Sequence, residues 1–109
     1  MTVRELCNAL QLNVVALPDG DRTVEGAYVG DLLSWVMGRA ESGNVWITIM
    51  SNINVIAVAS LADVACVLLA EGVTVDDTIR QTAEEKGINL LSSSKTAYRL
   101  AGELTALGI

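Results

Sequence analysis

Ile53 to Ala70 reads INVIAVASLADVACVLLA, and the way this apolar run divides decides the fold. At 18 residues it approaches the length at which a single helix crosses a bilayer. Asp63 stands in its second half, with Asn54 and Ser60 before it. An ionised Asp near the bilayer centre costs about 2.5–3.5 kcal/mol. Neither flank carries the Lys or Arg that would anchor a span, the nearest being Arg39 and Arg80. The run therefore splits into two elements of a packed core. A helix is capped by Ser51 or Asn52 and continues through Ala62. A strand then follows from Val64 to Ala70, apolar at every position and closed by Gly72. A strand with no polar face is covered on both sides, which is the pattern of a parallel sheet between helical layers.

Working outward, the same alternation continues. Val45 to Met50 (VWITIM) is β-branched and aromatic, hence a strand. Before it, Asp31 is placed to cap a helix from Leu32 to Ala40 that turns Leu33, Val36 and Met37 inward. Thr23 to Val29 alternates as a strand, and Leu12 to Leu17 is a shorter one ended by Pro18-Asp19-Gly20. Thr2 caps an amphipathic helix with Val3, Leu6, Cys7 and Leu10 on one face. Downstream, Thr74 opens a helix that has Asp76 and Asp77 in its first turn and stops at Gly87, a residue suited to a left-handed C-cap. Ile88 to Leu91 is the last strand. Ser94 to Leu107 is the last helix, with Ala97, Leu100, Ala101, Leu104 and Leu107 inward.

The order predicts one α/β domain over residues 1–109, a three-layer α/β/α arrangement around a mixed, mostly parallel sheet of about five strands. The link around Pro18–Arg22 is too short for a parallel crossover, so the first two strands are expected to pair antiparallel.

Composition narrows the chemistry. The chain has 109 residues, 13 acidic and 7 basic, for a net charge of −6. No basic footprint for nucleic acid is present. Histidine is absent, which removes His-based triads, His-ligated zinc and His general bases. No acidic spacing resembles a calcium loop, so neither a metal nor a cofactor is expected. Met1 to Gln11 does not read as a secretory leader, because Glu5 follows Arg4 and polar residues interrupt any apolar stretch. Cys7 and Cys66 sit among apolar neighbours and read as buried thiols in a reducing cytoplasm.

Asp21-Arg22-Thr23-Val24-Glu25-Gly26, continued by Ala27-Tyr28-Val29-Gly30-Asp31, resembles the signature region of the DRTGG domain family. Val45–Ile49, Asn54–Leu61 and Gly87–Ser94 are similar to the short members of that family. Asp21, Arg22, Thr23 and Gly26 match its motif, whereas Val24-Glu25 departs from the glycine pair. The resemblance implies a regulatory or accessory domain and no enzyme activity. Related domains are joined to CBS-domain pyrophosphatases and phosphate acetyltransferases, and a similar one begins the HPr kinase/phosphorylases. The kinase chemistry of the last group needs a phosphate loop, and no GxxxxGK[ST] pattern exists here. The family also implies a homodimer.

In an open α/β sheet, ligands collect beyond the carboxyl ends of the strands. Those ends carry Gly30-Asp31, Ser51-Asn52, Glu71-Gly72 and Ser92-Ser93-Ser94 with Lys95. Helix N-termini and hydroxyls there would receive an anion, and a small anionic metabolite or a nucleotide is the ligand class expected. Ser94 and Asp31 also have a purely structural use as helix caps, and Asp21-Arg22 as a turn. Tyr28, Leu32 and Trp35 form the expected dimer surface. The alternative is an interaction module with no ligand, serving itself or an unidentified partner protein. No membrane or nucleic-acid partner is expected.

Overall fold

Alternate residues of each central strand go to opposite faces, and the chain supplies an apolar core for each. The computed structural model describes all residues, Met1–Ile109. In chain order the elements are α1 (Val3–Leu10), β1 (Asn13–Ala16), β2 (Gly26–Val29), α2 (Leu33–Arg39), β3 (Asn44–Thr48), α3 (Asn54–Ala62), β4 (Cys66–Leu69), α4 (Asp77–Lys86), β5 (Leu90–Ser92) and α5 (Ala97–Ala106). Val45, Ile47, Cys66, Leu68 and Leu91 point to one face and pack under α1 and α5. Trp46, Val67, Leu69 and Leu90 point to the other and pack under α2, α3 and α4. The three-layer α/β/α reading holds.

The sheet order is β1-β5-β4-β3-β2. β2 through β5 are parallel neighbours, and β1 lies antiparallel to β5. Three successive crossovers step in one direction across the sheet. Right-handed connections then put α2, α3 and α4 on the same face, and the helices nearest the two chain ends are left to cover the other.

The expected pairing of the first two strands is overturned. β1 and β2 do run in opposite directions, but they occupy opposite edges of the sheet. Their connection, residues 17–25, crosses beneath the amino ends of the parallel strands. Four strand spacings are about 19 Å, and nine extended residues reach about 30 Å. The link that is too short for a helical crossover is long enough to pass under the sheet.

Several boundaries also shift. β2 begins at Gly26 rather than Thr23, whose remaining pairing is a single bridge to Thr2. The α4 cap is Asp76 rather than Thr74, its side chain accepting from the Ile79 amide at 3.0 Å. Met37 and Leu107 are turned outward, because α2 presents only Val36 fully to the core and α5 has ended before Leu107. The cap at Thr2 stands, completed by Glu5 as a reciprocal capping box.

β4 is the most enclosed strand, and Leu68 is fully buried in it. Leu68→Ala should lower the free energy of unfolding by about 2–5 kcal/mol through the cavity it leaves. Leu61→Ala, on an α3 side chain that is 72% exposed, should change it by less than about 0.5 kcal/mol. Urea denaturation of both variants measures the contrast.

Candidate functional site

The sheet has two polar ends, and the chain closes both with its own groups. At the amino end, the 17–25 segment is seated on the loops that precede β5, β4 and β3 in turn. Asn89 is buried. Its side-chain carbonyl accepts from the Asp19 backbone amide at 3.0 Å, while its side-chain amide donates to the backbone carbonyls of Asp19 at 2.8 Å and Ala65 at 2.9 Å. Arg22 donates to the Asp63 carboxylate at 3.0 Å and to the Asp63 carbonyl at 2.9 Å, capping the end of α3. The Glu25 amide donates to the Gly43 carbonyl at 2.9 Å.

The motif residues also hold the start of the chain. The first amides of α1, from Val3 and Arg4, have no partner within their own helix. They donate to the carbonyls of Arg22 and Gly20, each at 2.9 Å. Asp21 pairs with Arg4, and Thr23 bridges Thr2. Gly26 has a φ of +147°, and a Cβ there would lie 3.0 Å from the Asn44 side-chain nitrogen. The position therefore favours glycine, chiefly through its backbone conformation and further through the tight approach of Asn44.

Asp63 was legible only as an interruption of the apolar run. It occupies the left-handed C-cap of α3 with φ 56°. The Ser42 hydroxyl and then the Arg22 guanidinium hold its carboxyl below the usual Asp range.

At the carboxyl end, Asp31 does not cap α2. The cap position belongs to Leu32, which makes no side-chain bond. Asp31 instead reaches sideways to β3, accepting from the Thr48 hydroxyl at 2.9 Å and the Ile49 amide at 3.0 Å. Gly30 presents its carbonyl to the Trp46 indole N–H at 2.9 Å. Neither Ser51 nor Asn52 caps α3: the cap position falls to Ile53, which makes no side-chain bond. Asn52 accepts from the Asn54 amide at 2.9 Å in a tight turn two residues before the helix, and Ser51 is half-buried beside it.

The outgoing loops of β4 and β5 lead to opposite faces, since α4 lies on one side and α5 on the other. This divergence is where an α/β sheet opens a crevice. Here it is laced shut. The Glu71 amide donates to the Lys95 carbonyl at 2.9 Å, and the Gly72 amide to the Ser93 carbonyl at 3.0 Å. Thr96, not Ser94, caps α5 by accepting from the Arg99 amide at 3.1 Å. Ser93 accepts from the Lys95 amide at 3.1 Å, and Ser92 and Ser94 flank it, the latter exposed. Lys95 is turned away from the crevice to Glu103, at 2.9 and 3.1 Å, and to the Leu10 carbonyl at 3.3 Å.

The first amide of α5, from Ala97, is occupied by the Glu71 carboxylate at 3.0 Å. Glu71 sits at φ 62°, a left-handed conformation unusual for a residue with a side chain. The sequence reading included Glu71-Gly72 among the strand ends but gave the carboxylate no role. Its geometry depends on two loops that are 26 residues apart.

At the dimer surface expected from the sequence, Leu32 and Trp35 are exposed at 57% and 52%. The Arg39 guanidinium stacks over the Trp35 ring at 3.7 Å. Tyr28 is half-buried against the Trp46 core. Cys7 and Cys66 are free and buried, burial pushes both thiols up, and Cys66 is raised further by neighbouring Cys7. No cluster of three or more potential ligands is placed to hold a metal ion. No helix is long and apolar enough to cross a membrane.

These features define a small α/β module whose polar residues are spent mainly on joining its own elements. The sequence profile of the DRTGG domain matches residues 5–107, and the chain belongs to that family. The resemblance read from Asp21-Arg22-Thr23 is thus confirmed over nearly the whole chain. A solved structure of similar fold is that of the CBS and DRTGG domains of the regulatory region of Clostridium perfringens pyrophosphatase, complexed with its activator, diadenosine tetraphosphate. The two share 11% identity at a TM-score of 0.73, covering 94% of this chain and 45% of that one. At that identity the likeness is one of fold, and this chain spans less than half of its neighbour. No curated protein sequence matches it.

Two measurements check this geometry. The folded Asp63 carboxyl lies below the unfolded value of about 3.9. Its stabilising contribution is therefore present above that value and lost as pH falls through the folded one. The stability gap between wild type and Asp63→Asn should stay constant from neutral pH to about 5 and shrink below about 4, as read by urea midpoints. A thiol-specific reagent at mildly alkaline pH should find neither cysteine in the native protein and both after unfolding.

Proposed function

We propose that this chain is a non-catalytic regulatory module that senses a small anionic metabolite or nucleotide at the carboxyl edge of its sheet and acts as a homodimer. The observation that carries this reading is the Glu71 carboxylate on the Ala97 amide, at the divergence of β4 and β5. A carboxylate seated on a helix N-terminus marks a position whose field suits an anion. A ligand phosphate or carboxylate would take that place, release Glu71 and part the two laced loops. Ser92, Ser93 and Ser94 border the opening, while Gly30, Asp31, Ser51 and Asn52 form its continuation along the edge. Family membership supports the regulatory role, as does the placement of the fold neighbour in a regulatory region with an activating nucleotide.

A second reading is favoured by a separate observation. Val29, Leu32 and Trp35 expose apolar surface beside β2, an edge strand unpaired on its outer side. A pure dimerisation module would need only this edge.

The two readings separate in solution. Sedimentation should show a dimer at micromolar concentration, and Leu32→Glu with Trp35→Glu should make it monomeric. A monomer at high wild-type concentration would remove the dimer. Thermal unfolding with adenine nucleotides and acyl phosphates should show stabilisation, about 2.7 kcal/mol at a hundredfold excess over Kd. Glu71→Ala should bind the same anion more tightly, because the internal competitor is gone. The absence of any shift in both proteins, with the dimer intact, would leave the interaction module.

A further inference from the structure

Away from the carboxyl edge, α3 and α4 enclose a groove of about 300 Å³. Its walls are Ile53, Ile56, Ala57 and Leu61 from the α3 side, and its polar end carries Ser60 and Lys86. Ile53, at the cap position of α3, and Leu61 within the helix are both exposed.

Lys86 distinguishes this groove from ordinary exposed apolar surface. Of the seven basic side chains, five reach a carboxylate and Arg39 lies over the Trp35 ring. Lys86 alone has neither, in a chain of net charge −6. It also forms the wall between the groove and a polar cavity of about 150 Å³ at the amino end of the sheet. Ser60 lines both, and its hydroxyl has no partner within the chain. Thr82 borders the groove too, but its proton is donated to the Thr78 carbonyl at 2.8 Å, leaving it only as an acceptor.

No carboxylate lines the groove itself. In the polar cavity behind Lys86, Asp63 is committed to Arg22 and Ser42, and Asp19 keeps an unpaired carboxylate. One free ammonium with one carboxylate behind it suits a single negative charge and disfavours a polyphosphate. The volume lies at the small end of ligand pockets.

We propose that the α3–α4 groove binds a small monocarboxylate with a branched or aromatic apolar body. The body lies against Ile53, Ile56, Ala57 and Leu61, and the carboxylate accepts from Lys86 Nζ and the Ser60 hydroxyl. The occupied groove is distinct from the Glu71 crevice, so this inference stands or falls apart from the regulatory reading.

The test uses the full chain with 4-methylpentanoate and phenylacetate as probes, and 3-methylbutylamine and inorganic phosphate as controls. The acids at low millimolar concentration should raise the thermal midpoint and shift the amide resonances of Ile56, Ala57 and Leu61, leaving Glu71 and Ala97 unmoved. Lys86→Ala should weaken binding about tenfold, the scale of one charge-assisted hydrogen bond on a partly open site, while Lys86→Arg retains it. Ala57→Trp, which fills the groove from an exposed position, should abolish it with the fold intact. The proposal is overturned if neither acid binds, if the amine binds equally well, or if binding survives both Lys86→Ala and Ala57→Trp. Resonance shifts confined to Glu71 and Ala97 would assign the acids to the other site and also overturn it.

Discussion

The passage of residues 17–25 beneath the sheet is the constraint on which the remaining architecture rests. β1 closes one edge and β2 the other, so the intervening chain must meet the amino end of every parallel strand between them. Where a meeting is buried, as at Asn89 and Gly43, the backbone polar groups there need partners. The segment resolves this in order, with Asn89 before β5, Arg22 on Asp63 before β4, and Glu25 on Gly43 before β3. The Asp-Arg-Thr signature is therefore physically a crossing device. It joins the first turn of α1 to the end of α3 and the root of β4, while Asp19 and Glu25 on either side meet the roots of β5 and β3. Removing Arg22 would leave the α3 terminus and the Asp63 carboxylate without their common partner.

That crossing also fixes the distribution of helices. With β2 at the far edge, the three crossovers march back toward β1 on one face, and α1 and α5 are left to cover the other. The chain can diverge only after β5, which produces a crevice between the β4 and β5 loops. The same winding lays α3 beside α4 at the surface, where the apolar length of α3 exceeds what α4 can hide. Both candidate sites follow from one topological decision.

Local pattern carried the element order, the two faces of the strands and the Thr2 cap, because each depends on residues within a few positions of one another. The apolar run from Val64 to Ala70 declared a covered strand, and Gly87 declared a helix end. What stayed hidden depended on distance in sequence. Asp31 looks like a cap beside Leu32 but finds Thr48 in the next strand. Ser94 looks like a cap before α5, yet Thr96 is the residue whose hydroxyl meets the third amide. The partner of β1 is chosen by β5, some 77 residues later at the Val14 to Leu91 pairing, and no periodicity near β1 reports it. Lys95 reads as a free cation until Glu103, two turns along the next helix, neutralises it.

In the proposed sensing role, Glu71 gives the crevice a defined competition. Its left-handed backbone costs roughly 1–3 kcal/mol when held by a residue with a side chain. The bonds of Glu71 to Ala97 and Lys95, and of the next residue, Gly72, to Ser93, offset that cost while the loops are closed. An arriving anion replaces the carboxylate on Ala97 and lets Glu71 relax, so the strain released adds to the ligand's own contacts. A ligand shifts a two-state equilibrium only by its differential affinity, and here the differential has a physical source. The closed state already holds the Glu71 carboxylate at the receiving amide, so only the open state can accept the ligand's charge there. An uncharged analogue of equal size would leave Glu71 where it is.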